Sequence, residues 1–230
     1  MKKGLREEDF LDVIMSNEDL NYEEKVSIVL DILLGGFETS ATLLSLVVYF
    51  LAKSPNVLQK LKEEHESIRA KKGDEKLLNW EDYQKMDSPN VYRSHNSFSF
   101  FLFIKNVLVM SHCDVEILSR RYIEKLPMIL NSKVFPIFTA VHLDPSLHEN
   151  PYEFNPMRWT DKGKMNKKTT AFGGGVRVCP GGELGKLQIA FFLHHLVLSY
   201  RWKIKSDEMP IAHPYVEFKR GMLLEIDPTT

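Results

Sequence analysis

Residues 172–181 read FGGGVRVCPG and run directly into GELGKLQIAFFLHHLVLSY, residues 182–200, whose composition and spacing predict a helix. A lone cysteine is ordinarily a small buried hydrophobe. The setting of Cys179 argues for a ligand instead. A cysteine just ahead of a helix N-terminus lies in the positive end of the helix dipole, near free backbone N–H groups, and both favour the thiolate. Arg177, two residues away, adds a positive charge that from a loop can reach an acidic cofactor group. Gly173, Gly174 and Gly175 let the backbone approach a flat, bulky ligand where side chains would collide. Other glycine-rich motifs fail in detail. A dinucleotide fingerprint needs glycine where Val178 stands, and a phosphate loop needs glycine at Pro180 and Ser or Thr at Leu187.

Outward from this loop the chain reads as mainly α with a small β component. Leu5, Phe10, Leu11, Ile14 and Met15 share one helical face over residues 5–15. Asn21 with Glu24 is a capping pair, after which apolar residues continue from 26 to 52, a helix of about thirty residues by its start and stop signals. Gly35 and Gly36 sit in its middle, where each is unfavourable by roughly 1 kcal/mol against alanine. Ser54-Pro55 starts a helix that Gly73 stops, and Asn79 with Asp82 caps a short one. Residues 88–132 show neither period, 133–141 look extended, and Pro145, Pro151 and Pro156 punctuate a loop-rich stretch. RWKIK (201–205) and YVEFKRGMLLEI (215–226) read as strands, with a turn at Lys219-Arg220-Gly221.

Composition excludes several classes. Thirty Lys+Arg against 31 Asp+Glu leave a formal charge of -1, too little to draw nucleic acid or an anionic membrane. Cys113 and Cys179 make no disulfide framework and point to a reducing compartment. No signal sequence is expected, because MKKGLREEDF runs straight into charge. The longest apolar stretch, residues 98–110, is interrupted by Lys105 and Asn106 and falls short of the ~20 residues of a spanning helix, so no transmembrane segment is expected.

FGGGVRVCPG carries every fixed position of F-x-x-G-x-R-x-C-x-G and so resembles the haem-binding signature of the cytochrome P-450 family. The resemblance implies haem b with Cys179 as axial thiolate on iron, Arg177 pairing with a propionate, Phe172 packing beside the sulfur, and Gly173 among the cofactor-binding residues. A second match, GGFETS at 35–40, resembles the family's distal-helix motif. It implies that Gly35 and Gly36 open a groove for dioxygen, that Thr39 hydrogen-bonds the bound oxygen, and that Glu38 relays protons from solvent. Read singly, Glu38 and Thr39 are a surface acid and a back-bonded hydroxyl; the Cys179 loop reverses that reading. Residues 140–159 resemble the stretch through the family's aromatic motif, with Phe154, Pro156 and Trp159 packing a turn and Arg158 joining a buried ionic triad. KLKEEH, NWEDYQKMD and HPYVEFKRGM are similar to the plant brassinosteroid and sterol side-chain hydroxylases. His194 and His195 lie in an apolar helix and read as packing or surface residues. His65-Glu66 and His148-Glu149 lack the second histidine of a zinc motif.

The family's Glu-x-x-Arg pair, which forms the triad with Arg158, belongs after QKMD, where residues 88–132 stand instead. Glu66 to Arg69 and Glu217 to Arg220 have that spacing but lie in the wrong places. The segment reads as foreign sequence, such as translated intron or a frame disturbance, within one partial domain over 1–230, from the distal helix to the C-terminal hairpin. Three readings follow. The first is a monooxygenase that hydroxylates a hydrophobic, sterol-like substrate with electrons from an NADPH-dependent reductase. The second, favoured for this polypeptide by the missing pair, is a truncated, inactive fragment holding haem weakly or not at all. The third is a helical interaction module using the apolar 98–110 stretch. The resemblance implies the cytosolic face of the endoplasmic reticulum membrane, with a soluble cytoplasmic location as the alternative for a chain lacking its anchor.

Overall fold

Three helices begin on reciprocal side-chain caps. At α1 (Phe10–Ser16), the Asp12 amide donates to Asp9 Oδ1 at 2.9 Å and the Asp9 amide to Asp12 Oδ2 at 3.3 Å. At α2 (Tyr22–Ala52), Asn21 and Glu24 cap each other's amides at 2.9 Å in both directions, the box the sequence predicts. At α4 (Trp80–Lys85), Asn79 and Asp82 do the same at 2.8 and 3.0 Å. The start of α3 (Pro55–Lys72) is different: Pro55 opens the helix, and the Ser54 carbonyl accepts from the amides of Val57 and Leu58 at 3.0 Å. Proline's missing N–H has no intrahelical partner at that position anyway.

The computed structural model describes residues 9–72, 78–85, 115–116, 122–123, 126–127, 133–134, 143–154, 172–173, 175–205, 207, 209–212 and 216–229. Residues 5–8 of the first expected helix, Arg158 with the rest of its motif beyond Phe154, most of 88–132 and most of the expected strand at 133–141 lie outside them. β1 (Val115–Glu116), inside the stretch that shows no period, pairs antiparallel with β4 (Lys133–Val134) at the start of the expected strand, and the pair β2 (Tyr122–Ile123) and β3 (Leu126–Pro127) lies between them in the chain.

The last helix, α5 (Gly182–Ser199), feeds directly into β5 (Tyr200–Ile204). β5 forms a five-rung antiparallel ladder with β8 (Leu224–Pro228), from Tyr200↔Pro228 to Ile204↔Leu224, while β6 (Ile211–Ala212) pairs with β7 (Val216–Glu217). Lys219-Arg220-Gly221 is a turn as expected: Gly221 takes φ 79° and its amide donates to the Phe218 carbonyl at 2.9 Å. It does not join a hairpin, because β7 and β8 pair with different strands. A five-residue ladder satisfies more backbone groups than pairing with a two-residue strand would.

The chain divides inside α2 into Met1–Ala41 and Thr42–Thr230. In the first unit Ile14 is buried, and the Lys25 ammonium donates to the Met15 carbonyl at 2.9 Å, tying α2 back to α1. In the second unit the C-terminal part of α2 packs with α3 and α5. Leu46, Val47, Leu51 and Leu193 are fully buried, joined by Leu61, Ile189, Val197, Trp202 and Val216. Trp202 satisfies its indole by donating Nε1–H to the Val48 carbonyl at 3.1 Å. Phe154 stacks on Phe50, with centroids 5.3 Å apart and an interplanar angle of 22°, while the rest of the aromatic motif lies outside the described residues.

The expectation that no segment is long and apolar enough to span a membrane meets one exception by length and composition. Among the described residues α2 is long and apolar enough, by length and composition, to cross a membrane. Counting only uninterrupted apolar runs missed it, because Asp31, Glu38 and small polar residues break the run while leaving the average apolar. Its C-terminal part is core, and a core helix of a packed domain has the same composition.

Candidate functional site

The loop at 172–181 is held at both ends by its own backbone. The Cys179 amide donates to the Phe172 carbonyl at 2.8 Å, and the Cys179 carbonyl accepts from the Gly182 amide at 3.3 Å, the first residue of α5. Between them Gly173 at φ 74° and Gly175 at φ 65° take the left-handed conformation that glycine adopts without strain. Residues Gly175–Arg177 form one 3-10 turn, closed by the Val178 amide on the Gly175 carbonyl at 3.3 Å. Phe172 is pinned against α5. A Cβ placed on the buried Gly182 would meet its ring at 3.3 Å, and the Lys186 ammonium lies 5.2 Å from the ring centroid.

This geometry presents the Cys179 thiol to solvent. Around it in sequence, Val176, Val178 and Leu184 are exposed, Val176 completely. Exposed apolar side chains beside an exposed thiol suit a large ligand with an apolar face and a metal that takes sulfur. Single-thiolate ligation to a metal carried by its own macrocycle, which the family resemblance implies, is compatible with this setting. The residues present therefore fit haem. Phe172 packs on Gly182, so its ring backs the first turn of α5 that follows the cysteine.

In the other unit α2 runs through Gly35 and Gly36 unbroken, and a Cβ at either would meet nothing within 4 Å. Packing thus gives no reason for glycine there. The Thr39 hydroxyl donates to the Gly35 carbonyl at 2.5 Å, the back-bonded state expected of a mid-helix threonine, and Glu38 is exposed to water. Glu38 and Thr39 belong to the first unit and the Cys179 loop to the second.

Sequence reasoning missed a polar cluster in the core of the second unit. His65 on α3 and His194 on α5 are both buried, with Nδ1 2.8 Å from Nδ1. Burial, then His195 and Arg69, with a smaller push from Lys72, press the His194 imidazole down to about 4 against the opposing pull of Asp82. Asp82, which caps α4, also forms an ion pair with Lys72 of α3. Beside His65, both carboxyl oxygens of Glu64 are buried without a hydrogen-bond partner among the described residues, and burial pushes that group up to about 8. His194 is a packing residue as read, and His195 is exposed.

Comparison with known proteins follows the same pattern. The family model Cytochrome P450 matches residues 2–88 and 116–226. The unmatched residues 89–115 cover the place where the Glu-x-x-Arg pair is expected, and the match resumes within the 88–132 segment. Cytochrome P450 724B1 of Oryza sativa subsp. japonica is 49% identical over 221 residues, covering 96% of this chain and 45% of that protein. Cholesterol 16,22-dihydroxylase CYP90G4 of Trigonella foenum-graecum is 36% identical, over 98% of this chain and 47% of that protein. Steroid (22S)-hydroxylase of Oryza sativa subsp. indica is 33% identical, over 97% and 44%. The chain spans about half the length of the curated relatives it matches.

Proposed function

The chain belongs to the cytochrome P450 family, and on that premise we propose that it supplies the thiolate side and proton-handling helix of a haem monooxygenase that hydroxylates a sterol-like substrate. The observation that carries this reading is the Cys179 loop: a complete family signature, closed on itself and presenting its thiol from the start of α5. Cys179 holds the iron, and Arg177 pairs with a haem propionate. Bound haem supplies the activation of dioxygen, by which one oxygen atom enters a substrate C–H bond and the other leaves as water, using two electrons and two protons. The electrons come from an NADPH-dependent reductase. Glu38, open to water, takes up protons, and Thr39 passes them on by turning its hydroxyl from the Gly35 carbonyl. Similarity to proteins named for hydroxylating cholesterol and steroids supports a hydrophobic sterol or steroid as substrate, with the cytosolic face of the endoplasmic reticulum membrane as the location.

A second reading rests on the interruption of the family match at 89–115. In it this polypeptide is an inactive fragment that holds haem weakly or not at all. One measurement decides between them: express the 230-residue chain with haem supplied, reduce it, add carbon monoxide and record the Soret region. A red-shifted thiolate band that Cys179→Ser abolishes supports the first reading. Absence of haem uptake supports the second.

A further inference from the structure

We propose that the His65–His194 contact is an acid-sensitive latch that holds α5, and with it the Cys179 loop, against α3, and that it loosens on proton uptake. The two rings meet through Nδ1 on both sides at 2.8 Å, with centroids 5.0 Å apart and an interplanar angle of 67°. At that distance one Nδ1 carries the proton and the other accepts it, so the pair locks two opposite tautomers. His65 is fully buried and His194 is 6% exposed, which leaves little water to take over the bond.

The first added proton goes to an Nε2 and leaves the Nδ1 bond intact, but it places a cation in the core. A second proton puts N–H against N–H, and the bond is gone. The surroundings set how readily this happens. Facing His194 are Arg69 and Lys72 from α3, Asp82 from α4, and His195 on α5 itself. The three basic groups resist a further positive charge. Asp82, the single acid among them, is already engaged by Lys72 and by the amide of Asn79. The imidazole is therefore held neutral well below its ordinary range, consistent with the value of about 4. The sign follows directly. A histidine whose folded-state pKa is depressed contributes stability that is complete above the ordinary value of 6.5 and is lost as pH falls from there toward 4, because the unfolded chain takes the proton first.

Location gives the latch its consequence. α3 and α5 pack against each other in the core of the second unit, and α5 carries Phe172 on Gly182 at its first turn. Loosening the pair frees the helix to which the thiolate loop is anchored.

The test uses the full 230-residue chain. Histidine side-chain NMR between pH 7.5 and 4 should show one Nδ1–H···Nδ1 coupling between His65 and His194, with His194 titrating well below 6.5. Protection factors of the amides along Ile189–Val197, corrected for the intrinsic slowing of exchange at lower pH, should fall in the same window. Chemical denaturation in parallel should show the folding constant of the native chain falling, relative to that of a variant without the pair, by up to about tenfold per pH unit below 6, the limit for one proton, with the opposing contribution of Glu64 common to both chains. His65→Gln/His194→Gln, which keeps an amide–amide bond with nothing to titrate, should flatten that limb. Should the double variant fail to fold, the NMR titration of the native chain still decides. His194 titrating near 6.5, absence of the coupling, or an acid limb unchanged in the double variant each overturns the latch.

Discussion

At the scale of single residues, titration is governed by what burial denies. Glu64 has both oxygens enclosed and no hydrogen-bond partner among the described residues, so its carboxyl is easier to keep neutral than charged. Its pKa is raised from 4.5 to about 8. The folded chain thus retains a proton that the unfolded chain releases, and the contribution to stability is complete below 4.5 and lost as pH rises toward 8. His194 acts in the opposite sense, losing its contribution as pH falls from 6.5. The two slopes oppose each other between about 4.5 and 6.5, which predicts a stability maximum in that interval when these groups dominate. Glu64→Gln keeps the shape and removes the charge. Urea midpoints of the variant and the native chain should coincide near pH 4.5, and by pH 8 the variant should be the more stable. A constant difference across that range would show that Glu64 does not titrate as its burial implies.

At the scale of elements, three glycines in helices illustrate two uses of the same residue. Gly35 and Gly36 have open space where a side chain would go. Gly36→Ala should therefore stabilise α2 by about 1 kcal/mol, read as a rise in the denaturation midpoint. A loss would show that something occupies that space in the folded chain. Gly182 has the Phe172 ring 3.3 Å from the position of a Cβ. Gly182→Val should move the ring and destabilise by roughly 1–3 kcal/mol, with opposite sign to Gly36→Ala in the same assay. The same elements show why part of the fold was legible beforehand. The caps at Asn21 and Asn79 and the closed loop at Cys179 are made by residues within ten positions of each other, and such bonds leave a pattern in the sequence. The partnership of β5 with β8 and of His65 with His194 leaves none. The histidines are 129 positions apart, and neither has a neighbour that betrays the other.

For the whole molecule the question is whether a family core holds together across the segment that the family model does not match. The family match covers 2–88 and 116–226, and the packed elements α2, α3, α5 and β5 fall within it, as does the start of β8. What the unmatched 89–115 displaces is the expected acidic partner of Arg158. Burying an arginine without its carboxylate typically destabilises by ~3–5 kcal/mol, against the 5–15 kcal/mol that holds a domain together. The chain also spans about half the length of its relatives, so haem retention is best judged with the remaining length restored. Fusing the N-terminal part of Cytochrome P450 724B1 ahead of this chain gives two chimeras, one with residues 89–115 as they stand and one with the relative's corresponding segment. If the missing pair is what limits the fold, the second should show the stronger carbon monoxide-induced thiolate band and the higher thermal midpoint. Equal bands in the two would mean that residues 89–115 are tolerated as they stand and that the thiolate loop, α2 and α5 suffice to hold the haem once the rest of the protein is present.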